Sequence, residues 1–249
     1  MAKIGVIGGS GLEDPDILKN AKEIKVGTPF GEPGSSLLVG KIENKEVVLL
    51  SRHGRKHSIP PTQVNNRANI YALKEFGCTH IVTTTACGSL REEICRGDFV
   101  FPDQFIDFTR HRKITFFEKF TEGDLKHVPM ADPFDNNLRE ILIDSAKLLQ
   151  LKHHSAGTII TIEGPRFSTR AESRMFRMWG ADVINMSIAP EVILANELCI
   201  PYATIAMSTD YDSWKDVEEP VSWEEVLKVF NQNVDNVIRL IIKVISKID

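Results

Sequence analysis

The sequence predicts an α/β fold: one domain over residues 1–249, with a central mixed, largely parallel β-sheet flanked by helices. Three observations carry this. Short β-branched or apolar runs alternate with amphipathic stretches of helical period along the whole chain, the order that builds βαβ units. Several runs end on Gly, Ser, Thr or Asp, and such strand ends are where open α/β sheets place their ligands. No repeat, low-complexity tract or linker interrupts the order, and the content of 42% hydrophobic and 26% charged residues is that of an ordinary globular chain.

Taken in order, Lys3 to Gly8 reads as a short buried strand running into Gly8-Gly9-Ser10-Gly11, where close backbone amides and the Ser10 hydroxyl can hold an anion. The loop satisfies neither the dinucleotide GxGxxG pattern, since Asp14 stands where the last Gly belongs, nor the nucleotide P-loop. Lys45 to Leu50 is a second strand, and it leads into Ser51-Arg52-His53-Gly54-Arg55-Lys56-His57. There Arg52 can fork onto two oxygens of a phosphate and His53 can add a donor; a solvated basic loop fits the same residues. Asn65 to Phe76 reads as a helix stopped by Gly77. Thr79 to Thr85 is a β-branched strand opening into the small-residue loop Ala86-Cys87-Gly88-Ser89.

Asp98 to Ile106 reads as a short strand and turn. Residues 109–132, which include His127, are polar, charged and aromatic by turns without a clean period, and this predicts a surface excursion, a subunit contact or a lid. Asn136 to Leu149 is an amphipathic helix, and Ala156 to Ile162 a strand. A helix then starts near Ser168 with Glu172 behind it, and Phe167 stands just before, placed either to stack on a base or to staple its own helix. Ala181 to Ser187 is a strand, followed by a helix carrying Pro190 near its start. Tyr202 to Asp210 is β-branched and apolar, a buried strand. Ser222 and Glu225 predict a capping box for a last helix with an apolar stripe through Val226, Phe230, Val237 and Ile241.

Composition excludes whole classes of function. A formal charge of −4 argues against a general nucleic-acid binder. No apolar run approaches the roughly 20 residues that span a bilayer, and the N-terminus lacks the regions of a signal peptide. Cys78, Cys87, Cys95 and Cys199 show no CxxC spacing and no metal-ligand rhythm with His, so they read as reduced thiols of a cytoplasmic protein.

The functional features converge at strand ends. Small hydroxyl residues at Ser10, Thr85, Thr169 and Ser187, together with Arg52 and His53, make an anion site from separate loops. Asp210 and Asp212 end the last strand. A carboxyl shielded from water is held protonated, and a protonated carboxyl beside an ionised one donates one hydrogen bond and accepts another. A purine with a ring nitrogen and an exocyclic amine asks for that pair, although a polar turn accounts for the same residues.

In these motifs the chain resembles the methylthioadenosine phosphorylases of the trimeric purine nucleoside phosphorylase superfamily. The resemblance runs through Gly-Val-Ile-Gly-Gly-Ser-Gly-Leu12, Arg-His-Gly54, Asn-Asn-Arg-Ala-Asn69, Thr-Ala-Cys-Gly-Ser-Leu-Arg91, Thr-Ile-Glu-Gly-Pro-Arg-Phe-Ser168, Trp-Gly-Ala-Asp-Val-Ile-Asn-Met186 and Ser-Thr-Asp-Tyr-Asp212, and covers essentially the whole chain. It implies the nucleoside phosphorylase fold and phosphorolysis of methylthioadenosine, with purine nucleoside and phosphate as ligands, no metal and no organic cofactor. It assigns phosphate to Ser10, Arg52, His53, Thr85, Ala86 and Ser187, the ribose to Met186, the base to Phe167 and Ser168, and the purine N7 and 6-amino group to Asp210 and Asp212. It implies a homotrimer or a dimer of trimers, with His127 supplied by a neighbouring subunit. Relatives acting on 6-oxopurine nucleosides, methylthioinosine included, are the alternative, but they place Glu at position 168 and Asn at position 210. Relatives that prefer ordinary nucleosides such as adenosine carry a His in the last helix where this chain has Trp223, so Trp223, Val226 and Leu227 are expected to wall the 5′ position.

Overall fold

The structure, a computed structural model, describes residues 2–8, 17–216 and 221–249. Among these residues eleven strands share one sheet: β1 (Lys3–Gly8), β2 (Lys19–Ile24), β3 (Leu37–Ile42), β4 (Lys45–Ser51), β5 (His80–Ser89), β6 (Phe99–Val100), β7 (Gln104–Phe108), β8 (His153–His154), β9 (Thr158–Ile162), β10 (Val183–Asn185) and β11 (Tyr202–Asp210). Five α-helices accompany them: α1 (Asn66–Glu75), α2 (Asn136–Leu148), α3 (Arg170–Met178), α4 (Ile188–Glu197) and α5 (Trp223–Lys247).

The centre of the sheet is parallel. β1 lies between β4 and β5, and β11 runs along the other edge of β5. β5 outruns β1, which pairs with it only as far as Thr83. The vacated edge is taken by β10, which pairs antiparallel to it at Gly88 and Ser89 and carries the sheet on through β9 to β7. Antiparallel β2 and β3 extend the opposite margin beyond β4.

Period-two alternation explains why these strands are buried on both faces. Val47 and Leu49 of β4, Val82 of β5 and Ala203, Ile205 and Met207 of β11 face one core, which α2 and α5 cover with Leu138, Leu142, Phe230 and Val237. Their neighbours Val48, Leu50, Ile81, Tyr202 and Ala206 face a second core, which α1 and α4 cover with Ile70, Leu73, Ile188 and Val192. A smaller third core under α3 joins Ile160, Phe176 and Ile184.

The structure differs from the sequence reading in local ways. The expected loop Ala86–Ser89 continues β5, because both of its edges are hydrogen-bonded there. Of the expected strand from Ala181 to Ser187 only Val183–Asn185 is strand. The cap of α3 is Thr169, not Ser168: its side chain accepts from Glu172 N and Glu172 reaches back, a complete capping box. At α5 only half of the expected box forms, Ser222 accepting from the Glu225 amide. Residues 109–132 contain no helix and no strand, only an isolated bridge between Thr121 and Asp124.

Ile205 is fully buried in the first core at the middle of β11. Ile205→Ala is expected to lower unfolding stability by about 2–5 kcal/mol, read from urea denaturation.

Candidate active site

The parallel strands end together, and the loops that leave them surround a cleft of about 890 Å³, counting its mouth open to solvent. That is within the range of small-molecule sites. Arg52 and His53 enter from the end of β4, Thr85 and Ala86 from β5, Met186 and Ser187 from the turn after β10, and Asp210 and Asp212 from β11. Phe167 closes one side, and Trp223, Val226 and Leu227 of α5 close another.

Arg52 is 2% exposed, and its fork is not turned on the cleft as the sequence suggests. It grips Glu191 of α4, with Nε 2.5 Å from Oε1 and Nη2 3.0 Å from Oε2. Nη2 also donates to Thr83 Oγ1 at 2.6 Å, and Nη1 to the Thr84 carbonyl at 3.1 Å. A guanidinium has five N–H donors, so one, on Nη1, is left for a ligand. Burial disfavours the Arg52 charge, but the Glu191 carboxylate outweighs it and holds the group above its ordinary value. Tyr202 completes the arrangement, its hydroxyl donating to Glu191 Oε2 at 2.8 Å.

His53 stacks on His57 with ring centroids 4.4 Å apart, and His57 in turn packs 5.2 Å from the Trp223 ring. Burial, with Arg52 adding to it, pushes His53 down to about 3 and lowers His57 as well. Ser187 holds the N-cap position of α4 without using its side chain as a cap, so its hydroxyl lines the cleft at the positive end of a helix. The Thr85 hydroxyl donates to the Ala86 carbonyl at 2.9 Å and accepts from Asn185 Nδ2 at 3.3 Å.

At the other end of the cleft the ladder between β11 and β5 slips by one residue between Ser208 and Asp210. Asp212 then takes a left-handed backbone at φ 47°, a conformation that needs a reason in a residue other than glycine. It turns its amide onto Asp210 Oδ1 at 2.8 Å, while Thr209 Oγ1 donates to Asp210 Oδ2 at 2.8 Å. Gly88 makes room for this, since a Cβ there would stand 2.8 Å from Asp210 Oδ1. Burial raises both carboxyls above the ordinary range. Hydrogen bonds from the Ser173 hydroxyl, the Ser213 amide and the Ser168 hydroxyl work against that rise at Asp212.

Twelve of the sequence-derived site residues therefore line one cleft: Arg52, His53, Thr85, Ala86, Phe167, Met186, Ser187, Asp210, Asp212, Trp223, Val226 and Leu227. Ser168 does not line it; its side chain is buried behind the wall and its carbonyl accepts from Ser213 Oγ at 2.7 Å. The Thr169 hydroxyl caps α3 instead of joining an anion site. His127 is exposed and packs on the edge of Phe120 at 5.4 Å, apart from this chain's own cleft. Ser10 lies outside the described residues. Glu191, Thr83, Asn185 and His57 are the residues that sequence reasoning missed. Of these only Glu191 carries a signal, as an acid in a helix whose other early positions are apolar.

Removing one partner of a buried ion pair leaves an uncompensated charge. Glu191→Ala should therefore cost about 3–5 kcal/mol in chemical denaturation. The double change Arg52→Met with Glu191→Leu should recover most of that loss.

Comparison with known proteins places the sequence and the fold. The model of the phosphorylase superfamily matches residues 3–246. An S-methyl-5′-thioadenosine phosphorylase of Xenopus tropicalis is 58% identical over 99% of this chain and 89% of its own length. That of Danio rerio is 54% identical with the same coverage. Among solved structures, methylthioadenosine phosphorylase from Schistosoma mansoni in complex with adenine superposes with a TM-score of 0.93 at 42% identity, over 99% of this chain and 91% of that one. A mutant of the adenosine/methylthioadenosine phosphorylase of that organism, in complex with methylthioadenosine, has a TM-score of 0.92 at 41% identity with the same coverage. Similar in sequence and in fold over nearly its whole length, the chain belongs to the phosphorylase superfamily and, within it, to the S-methyl-5′-thioadenosine phosphorylases.

Proposed function

We infer that the chain catalyses the phosphorolysis of 5′-methylthioadenosine to adenine and 5-methylthioribose 1-phosphate. The observation that carries this is the carboxylate pair on one wall of the cleft: Asp212 beside an Asp210 whose carboxyl burial holds toward its protonated form. A proton donor next to a second carboxyl that can accept matches N7 and the 6-amino group of adenine. The glycosidic bond breaks through an oxocarbenium-like state, as in glycoside hydrolysis. Protonation at N7 by Asp210 makes the purine a better leaving group. The phosphate then forms the bond to C1′ that adenine gives up, and the proton it carried is the one adenine gains in the net reaction. Arg52, His53, Ser187 and the β5 backbone at Thr85 and Ala86 hold the anion against the ribosyl face, which supplies proximity more than new chemistry. Met186 underlies the ribose and Phe167 flanks the base. No cofactor enters this scheme, since phosphate is a co-substrate.

We place the enzyme in the cytoplasm. Its four cysteines are free thiols, and among the described residues no helix is long and apolar enough to cross a membrane. We also propose a homotrimer or a dimer of trimers, in which His127 completes a neighbour's cleft. The exposed His127 sits among the exposed apolar side chains of Phe120 and Leu125, a surface that a second subunit would cover.

Adenine release that depends on phosphate, followed by absorbance, tests the reading directly. Inosine and guanosine should turn over poorly, and wild-type turnover of inosine comparable to that of methylthioadenosine would sink the assignment. Asp210→Asn should slow methylthioadenosine cleavage by about 10²–10⁴-fold.

The 5′ group is expected to face Trp223, Val226 and Leu227. An apolar wall favours a methylthio group and leaves a 5′-hydroxyl unpaired, a discrimination of roughly a hundredfold. Adenosine should remain a detectable substrate, and Trp223→His should narrow the gap in kcat/KM between the two nucleosides. Light scattering at assay dilution tests the assembly: an active monomer would remove His127 from the site.

A further inference from the structure

We propose that the oxyanion end of the cleft selects a tetrahedral anion that still carries a proton, and that His53 Nε2 is the acceptor that reads it. The proposal rests on the phosphorylase reading above and assigns the form in which the co-substrate is bound.

The geometry leaves this end of the cleft with little net positive charge. Arg52 is paired with the Glu191 carboxylate through two of its nitrogens, and only one of its N–H groups remains to face a ligand. A bare dianion would find hydrogen-bond donors here, the last Nη1–H of Arg52 and the Ser187 hydroxyl among them, but among the described lining residues no cation without a carboxylate partner.

His53 then decides what else the ligand must bring. Its Nδ1 lies 2.8 Å from the Ile59 carbonyl oxygen. A carbonyl only accepts, so Nδ1 carries the ring's proton and Nε2 carries a lone pair. Nε2 has no partner among the described residues, and the ring lines the cleft. Conversion to imidazolium is opposed by burial and by the neighbouring cations, which together outweigh the favourable bond to the Ile59 carbonyl. The ring is buried, and the charged or titratable groups that face it are Arg52 next in sequence, His57 stacked on its face and Arg112 from the long excursion, none of them a carboxylate. Burial is the largest of these effects, and together they hold the ring neutral through the physiological range.

An oxygen placed against Nε2 must therefore donate. Both forms of inorganic phosphate present near neutrality carry a P–OH that can do so, and the remaining oxygens can take the Nη1–H of Arg52 and the Ser187 hydroxyl. Sulfate has the same shape and charge as the phosphate dianion but has no proton. It would set lone pair against lone pair and could bind only if His53 took up a proton from solution. A buried polar mismatch of that kind is what gives strong discrimination between near-isosteric ligands.

Calorimetric titration of the whole protein with inorganic phosphate and, separately, with sulfate tests this, each in two buffers of different ionisation enthalpy. At about pH 8 phosphate should bind with no net proton uptake, whereas sulfate should take up close to one proton and bind far more weakly. Its affinity should rise about tenfold for each unit of pH lowered. In ¹⁵N-histidine spectra Nε2 of His53 should keep its unprotonated signature when phosphate binds and lose it when sulfate binds. His53→Gln supplies an amide donor and should make sulfate binding insensitive to pH. Sulfate binding at about pH 8 as tightly as phosphate without proton uptake, or protonation of Nε2 on phosphate binding, would overturn the proposal and leave the phosphorylase assignment standing. Failure of phosphate both to bind and to support adenine release would instead remove that assignment.

Discussion

The buried pair between Arg52 and Glu191 is the contact on which the site depends. It is held from four directions: Arg52 follows β4, Glu191 stands in α4, Thr83 and the Thr84 carbonyl belong to β5, and Tyr202 opens β11. Two charges at 2% and 0% side-chain exposure persist only when both are fully hydrogen-bonded, because desolvating either alone costs several kcal/mol. The same bonds fix how β4, β5 and α4 meet at the head of the cleft. Replacing the pair with apolar residues of similar volume can preserve the fold, so what it contributes beyond stability is a guanidinium with one donor aimed outward.

The opposite end of the cleft obeys a complementary rule. There, burial works on groups of like charge, and the backbone absorbs the strain. The register slip before Asp210 and the left-handed Asp212 bring two carboxyls onto one wall, and Gly88 opposite leaves space for the first of them. Hydrogen bonds from Thr209 and from the Asp212 amide reach both Asp210 oxygens, while Asp212 is served by the Ser173 and Ser168 hydroxyls and the Ser213 amide. Two adjacent acids are thus given different surroundings, which is how one site obtains a donor and an acceptor from the same residue type.

The central strands were legible because their two buried faces demand unbroken runs of apolar and β-branched residues, as in Tyr202 to Met207. The marginal strands were not. β2, with the sequence Lys-Asn-Ala-Lys-Glu-Ile, is almost wholly exposed and gives no hydrophobic pattern to read. The extension of β5 through Ala86-Cys87-Gly88-Ser89 was hidden because small residues signal a turn locally, whereas here they let neighbouring strands and side chains approach. In the site, residue types at strand ends picked out residues that the fold gathers around one cleft, but pairings did not follow from them. Nothing near Arg52 announces a partner 139 residues away, and the basic run around it reads equally as a surface loop. His53 was expected as a donor by residue type alone; the Ile59 carbonyl six residues on reverses the role of its outward nitrogen.

The forked position of β5 has a consequence for how the protein comes into being. This strand pairs with β1 before it in sequence and with both β10 and β11 after it. Contacts at its far end span long stretches of chain, as in the bond from Trp214 Nε1 to the Ser89 carbonyl, 125 residues apart. Pairings of that span close slowly, because the entropy of a long loop is lost before the contact forms. On the ribosome β5 is made long before β11, so the edge that β11 takes stays unpaired until β11 itself has emerged. The cleft is therefore a late product of folding, and nascent chains that end before β11 expose an apolar strand edge open to association.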